Sequence, residues 1–347
     1  MTNEWYRYDN YELKQSIKKY VDFPIRTDEE ENDPRLLVVA VDVEEGEQVT
    51  FDSHLPAVEF GYDEEGNTNV DIEYKQGLMA EHVMASASVP VHYDYALVPV
   101  KYDYNKSESE LESETRPLNS STHRRFWDGG ILSNTPLREV IQAHRESKEV
   151  PPAPLKVYIV DIWPSVKNYP VASDHDGVIN RKNDLVYQDK TYYEEKVTHL
   201  ISDYKTLVDE FKKLAEKNNL PIEEILNKDT PKSRDRDGSI RTYRKLIDTV
   251  FDIDIIRIER TPDENEVSFK WCDYSIESID SLIRQGVKDT LKALANDFLQ
   301  RNNSDKSKIE PELNSFIEAV EHERQNKHLD EQYATLLMEE AKSLVLS

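Results

Sequence analysis

Residues 127–137 read Trp127-Asp128-Gly129-Gly130-Ile131-Leu132-Ser133-Asn134-Thr135-Pro136-Leu137. A carboxylate is followed at once by two glycines and then by a polar turn. Glycine lets the chain take positive φ and lets other backbone come close. The tripeptide therefore reads as a carboxylate presented on a sharp turn, and taken alone that is an ordinary structural turn. Thr135 before Pro136 reads as a helix start, because threonine caps a first turn and proline fits the first helical position. Leu137, Val140, Ile141 and His144 recur at one-face spacing, which predicts a helix to about Ser147.

Upstream, residues 77–87 are small and apolar and read as a helix, ending in Ala85-Ser86-Ala87-Ser88-Val89-Pro90, where the proline stops it. Ala96 to Val100 reads as a short strand, and Asn105 to Ser121 as a polar, acidic surface loop. Leu36 to Val43 is a run of apolar and β-branched residues, the pattern of a strand buried on both faces. Glu44 to Glu47 is a turn and Gln48 to Phe51 a returning strand; Ala57 to Tyr62 and Asn69 to Tyr74 make a second hairpin. Residues 10–22 carry Leu13, Ile17 and Tyr20 at helical spacing.

Downstream, Pro151, Pro152 and Pro154 break the chain before a buried strand at Leu155 to Ile162. Residues 185–218 read as one long amphipathic helix, followed by a short helix at 221–226 and a charged loop at 230–239. Helix over 240–249, strand over 251–258, helix over 278–299 and one or two helices over 308–345 complete the chain. Strands alternating with helices predict an α/β fold around a largely parallel sheet.

The chain has 347 residues and a net charge of -25, from 69 acidic and 44 basic side chains. So acidic a surface argues against nucleic acid, which needs a basic face, and against tight docking on an anionic membrane. One cysteine, Cys272, excludes an intrachain disulfide. The start shows neither the basic nor the apolar region of a secretion signal, so a cytoplasmic setting is expected. The Asn105, Asn119 and Asn302 tripeptides then match the glycosylation pattern by chance. Ser233 to Gly238 has the ligand types of a calcium loop, but Arg244 stands where a bidentate glutamate is needed. Asp174-His175-Asp176-Gly177 has metal-ligand types without a second half. No metal site is expected.

The 85–90 and 127–137 segments together, in this order and at this spacing, resemble the patatin-like phospholipases. In that family a small-residue helix ending in A-S-x-S/A-x-P precedes a strand and then D-G-G-x-x-x-N-x-P-L. Pro34 to Val43, followed by Gly46, is similar to the family strand before the motif. The resemblance is good over residues 8–165, diffuse beyond, and returns weakly near 275–286. It implies a three-layer α/β/α sandwich, incomplete at its N-terminus, and hydrolysis of lipid acyl esters by a serine–aspartate dyad with no cofactor. The match assigns Asp128 as general base, with Gly129 and Gly130 forming the turn that presents it. Asn134, Ser86, Ser88 and Pro90 would shape the site.

The chain departs from the family in one respect. None of its nine glycines belongs to a G-x-S-x-G elbow. The chain is expected to be a fragment, one half of a split protein or a non-catalytic interaction protein, and to be inactive alone. Ser86 and Ser88 lack a glycine elbow and read as packing residues. The resemblance divides the chain into a patatin-like part with the D-G-G motif (1–180), a helical insertion or cap (181–250), a return to the α/β domain (251–300) and a helical tail (301–347). Expected partners are a lipid or acyl-ester substrate and a membrane surface contacted peripherally, with no nucleic acid.

Overall fold

The computed structural model describes residues 10–27, 33–54, 58–62, 68–73, 77–100, 123–145, 153–163, 174–234, 239–248, 250–261, 275–301, 309–325 and 331–346. The chain divides into two compact units: residues 1–153 with 190–251, and residues 154–189 with 252–347. The architecture is mixed α/β.

The first unit is built on β1 (Leu37–Asp42), five apolar residues closed by Asp42. Gly46, at φ +73°, turns the chain back into β2 (Glu47–Asp52), which pairs antiparallel with β1. Across β1 from β2 lies β6 (His123–Asp128), and beyond it β5 (Ala96–Pro99), so the sheet order is β2-β1-β6-β5. Every pairing in this sheet is antiparallel, contrary to the expected parallel arrangement. The reason is that an unbroken apolar run reports burial on both faces and carries no information on strand direction. Hairpin β3 (Val58–Tyr62) and β4 (Thr68–Glu73) forms as expected.

Alternation along β1 sends Val38 and Ala40 to one face and Val39 and Val41 to the other, and all four are buried. On the first face they join Val49, Phe51, Val98 and Phe126 and the residues Met84 and Ala85 of α2 (Ala80–Ala87). Leu13 and Ile17 of α1 (Tyr11–Tyr20) close over this cluster. Phe51 and Phe126 are fully buried and meet edge to face at 5.5 Å between centroids. Each contributes about 2–3 kcal/mol of burial. On the opposite side, α3 (Gly130–Ser133) packs against β1, and α4 (Leu137–Arg145) follows it and buries Leu137 and Ile141. The Arg35 Nη1 donates to Ala143 O at 2.9 Å and the Gln48 amide to Glu139 Oε1 at 2.5 Å, tying α4 to β1 and β2.

Asp42 at the end of β1 is a fully buried charge with its partners supplied. Its Oδ1 accepts from the amides of Glu44 and Glu45 at 2.9 and 3.1 Å, and its Oδ2 from Arg124 Nε at 2.9 Å. A buried carboxylate is tolerated only when so satisfied. Burial alone would lower the Arg124 guanidinium; the hydrogen bonds it donates to Asp42 and Glu45, with the nearby carboxylate charges, outweigh it and hold the pKa above its ordinary value.

The expected helix over 185–218 is two helices. The first, α5 (His175–Tyr187), belongs to the second unit, and Asp174 caps it by accepting from the Gly177 amide at 2.7 Å. Its metal-type residues thus include a helix cap. Asp189, buried and bonded to Arg257, breaks the periodicity before α6 (Tyr192–Lys217) begins in the first unit. After α7 (Ile222–Leu226), the expected charged loop is a hairpin, β8 (Asp229–Arg234) with β9 (Ile240–Thr242). Its strands are charged and largely exposed, so no apolar alternation announced them. Residues 235–238 of the calcium-loop candidate, Cys272 and the three Asn-x-Ser/Thr asparagines lie outside the described residues. α8 (Tyr243–Asp248) ends this unit's described helices.

The second unit pairs β7 (Leu155–Asp161) and β10 (Ile253–Glu259) in parallel, in continuous register. The helices α9 (Ile276–Arg301), α10 (Ile309–Gln325) and α11 (Glu331–Leu346) pack through Leu291, Leu313 and Ala341.

Candidate active site

Asp128 is the last residue of β6, paired in register with Ala40 in the middle of β1. The strongest strand of the sheet therefore fixes its backbone. Its amide donates to Ser88 O at 3.0 Å, so the carboxylate sits where α2 ends. Sequence reasoning put the two segments together through the resemblance; the hydrogen bond joins them directly.

The turn after Asp128 differs from expectation in one respect. Gly129 has φ −60°, and positive φ is found only at Gly46 and Gly77 among the described glycines. Glycine is required at 129 for space: a Cβ there would lie 2.3 Å from Val39 O. That close approach lets α3 start directly off β6 and lets the Gly130 amide donate to Asp128 Oδ1 at 2.7 Å. The carboxylate is half-buried, and no cation pairs with it among the described residues. Burial pushes its pKa above the ordinary carboxylate value, and the Gly130 hydrogen bond opposes that shift without cancelling it. An acid disfavoured as an anion and free of an ion pair is suited to accepting a proton.

The remaining expected residues occupy several places. Ser88 is fully buried, and its hydroxyl donates to Met84 O at 2.8 Å while accepting from Asn10 Nδ2 at 3.2 Å. That hydroxyl is committed to the helix end. Ser86 is half-buried on α2, Pro90 is half-buried in the following turn, and Asn134 is exposed. Val91, next to Pro90, takes φ +71°, a strained backbone for a β-branched residue.

Asn10 was read only as the start of a helix. Its Nδ2 also donates to Asp94 O at 2.6 Å, so one side chain ties α1 to the exit of α2 and the entry to β5. Its Oδ1 is buried with no partner among the described residues. Tyr95 stacks on Trp127 at 5.4 Å, bracing the strand residue before Asp128. No local pattern announces either contact, since both join residues more than thirty positions apart in sequence.

Residues 2–141 match the model of the family described as Patatin-like phospholipase. The match supports a patatin-like phospholipase assignment for this part of the chain. The matched span holds β1, α2, β6 and the Asp128 turn, so the patatin-like segment and the candidate site coincide. No curated protein and no solved structure matches the chain. Among the described residues no helix is long and apolar enough to cross a membrane, and no cluster of His, Cys, Asp and Glu could hold a metal ion.

Proposed function

We propose that this protein serves a lipid acyl-ester hydrolase of the patatin-like type, with Asp128 as its general base. The observation carrying this reading is the Asp128 carboxylate, half-buried and without an ion pair among the described residues, presented by the Gly129 turn inside the patatin-like segment. In this reading the first unit is the three-layer α/β/α scaffold, a view supported by α1 and α2 on one face of the sheet and α3 on the strand opposite them.

No G-x-S-x-G lies in the 347 residues, so the serine hydroxyl comes from other polypeptide. Asp128 takes the proton of that hydroxyl as its oxygen bonds to the ester carbonyl carbon. It returns the proton to the departing alcohol when the carbon–oxygen ester bond breaks. It then takes a proton from the water that attacks the acyl-serine carbonyl and gives it to the serine oxygen as the serine–acyl bond breaks, which releases the fatty acid and restores both groups. The protein is cytoplasmic and meets lipid aggregates at their surface.

The absent elbow also favours a second reading, a non-catalytic interaction protein on the same scaffold. A fluorophosphonate that labels activated serines separates the two. The chain alone is expected to stay unlabelled. Joined in frame to the codons upstream of Met1, or co-purified with a neighbouring gene product, it is expected to give a labelled serine and ester hydrolysis. No labelling in any of these preparations would leave the interaction protein as the function.

A further inference from the structure

Helix α6 presents an apolar stripe to solvent. Tyr193, Leu200, Tyr204, Leu207, Phe211 and Leu214 are each between 50 and 74% exposed. With half-buried Val197 they recur at alternating steps of four and three residues along the helix. This is a strict 3.5-residue repeat held for three heptads, the spacing that keeps one seam facing a partner helix. The stripe runs about 32 Å along the axis.

The orientation of α6 on its unit is fixed from the other side. Ser202, on the helix face away from the seam, donates its hydroxyl to Phe251 O at 3.2 Å. With that face held to its own unit, the heptad residues stand exposed.

We propose that α6 is a coiled-coil seam through which two copies of this chain associate. A partner must supply a matching heptad stripe, and a second copy does so by construction, giving a self-complementary two-fold contact. Charge points the same way. The chain as a whole carries -25, a repulsion that opposes self-association over most of its surface. α6 carries six carboxylates and five lysines, which leaves it nearly neutral. Several of these are paired within the helix, Lys205 with Asp209 at 2.9 Å and Lys213 with Glu210 at 2.6 Å. Half-exposed aromatic and aliphatic side chains each offer about 100 Å², so a symmetric pair buries roughly 1,200 Å², enough for a specific interface. A lipid surface is the less suited occupant, because the seam is narrow and its borders lack the excess of lysine and arginine that anionic headgroups attract. The inference rests on α6 alone and is independent of the role of Asp128.

The test is sedimentation equilibrium of the full chain over a wide concentration range, beside the double variant Leu207→Glu/Phe211→Glu. Both side chains are exposed, so the variant is expected to keep the wild-type circular dichroism. The wild type is expected to be dimeric, and the variant to weaken the dimer by at least about 100-fold. A wild-type chain that stays monomeric, or a dimer indifferent to the variant, would overturn the proposal. So would a monomeric wild type that co-sediments with phosphatidylcholine and phosphatidylglycerol vesicles and loses that binding in the variant, which would assign the seam to lipid.

Discussion

The Asp128 amide and the Ser88 carbonyl meet at 3.0 Å, so the strand that presents the carboxylate and the helix end that flanks it are one hydrogen-bonded unit. The carboxylate position is set by backbone on both sides: by β1 through Ala40 and by α2 through Ser88. Substitutions around this junction have separable consequences.

Gly129→Ala is expected to destabilise the first unit by about 2–3 kcal/mol, the cost of forcing a methyl into closed packing. The added carbon would meet backbone, Val39 O at 2.3 Å, which has no rotamer to yield. Urea unfolding of the variant checks this. An unchanged midpoint would mean that β6 and β1 separate freely at the turn.

Asp128→Asn keeps an acceptor for the Gly130 amide and removes the charge. Burial raises the carboxyl pKa in the folded state, so the folded chain holds its proton more tightly than the unfolded chain. The sign is therefore a loss of stability as pH rises through and above the ordinary carboxylate range, present at neutral pH and absent in acid. The asparagine variant is expected to be more stable than wild type by about 1 kcal/mol at pH 7, with the difference vanishing below about pH 4. Urea midpoints at the two pH values measure it.

The fold was legible wherever burial follows local pattern. Leu36 to Val43, residues 77–87 and residues 136–147 read as elements, and β1, α2 and α4 lie within them, because apolar periodicity reports which side chains leave water. Strand direction was not legible in Val38 to Val41, nor was the hairpin at 229–242, whose charged strands are held by backbone pairing. Residues 123–128 escaped as a strand because Arg124 and Arg125 interrupt the apolar pattern, and their partners Asp42, Glu44 and Glu45 lie some eighty residues away. Of the site, Asp128 and its glycines were named from the motif. The reason for Gly129 was half legible: close approach is real, and positive φ is not used.

His82 is buried against Phe51, their rings 4.4 Å apart, and its Nδ1 accepts from the Met79 amide at 2.8 Å. Burial lowers its pKa from 6.5 to about 3. The unfolded chain takes the proton first, so stability is full above the ordinary histidine pKa and falls as pH drops, by about 1.4 kcal/mol per pH unit at most. His82→Asn retains an acceptor at the Nδ1 position and is expected to flatten this slope, read from unfolding midpoints between neutral pH and about pH 4. An equal slope in both proteins would show that other groups carry the acid sensitivity.

Asn10→Ala removes the bonds to Ser88 Oγ and Asp94 O. A loss of about 1–2 kcal/mol is expected, with faster amide exchange at the α2 exit as the local readout. Asn10→Ala without either change would show that α1 is held without this side chain, by contacts such as the Leu13 and Ile17 packing and the Lys14–Glu81 ion pair.

The most direct measurement of the role of Asp128 is ester hydrolysis by this chain once the serine-bearing polypeptide is joined to it or co-purified with it, compared with the same preparation carrying Asp128→Asn. The expected result is a fall in kcat of about 10³-fold or more, with substrate binding retained. Asp128→Asn hydrolysing within about tenfold of wild type, or the chain hydrolysing esters alone through one of its own serines, would contradict it.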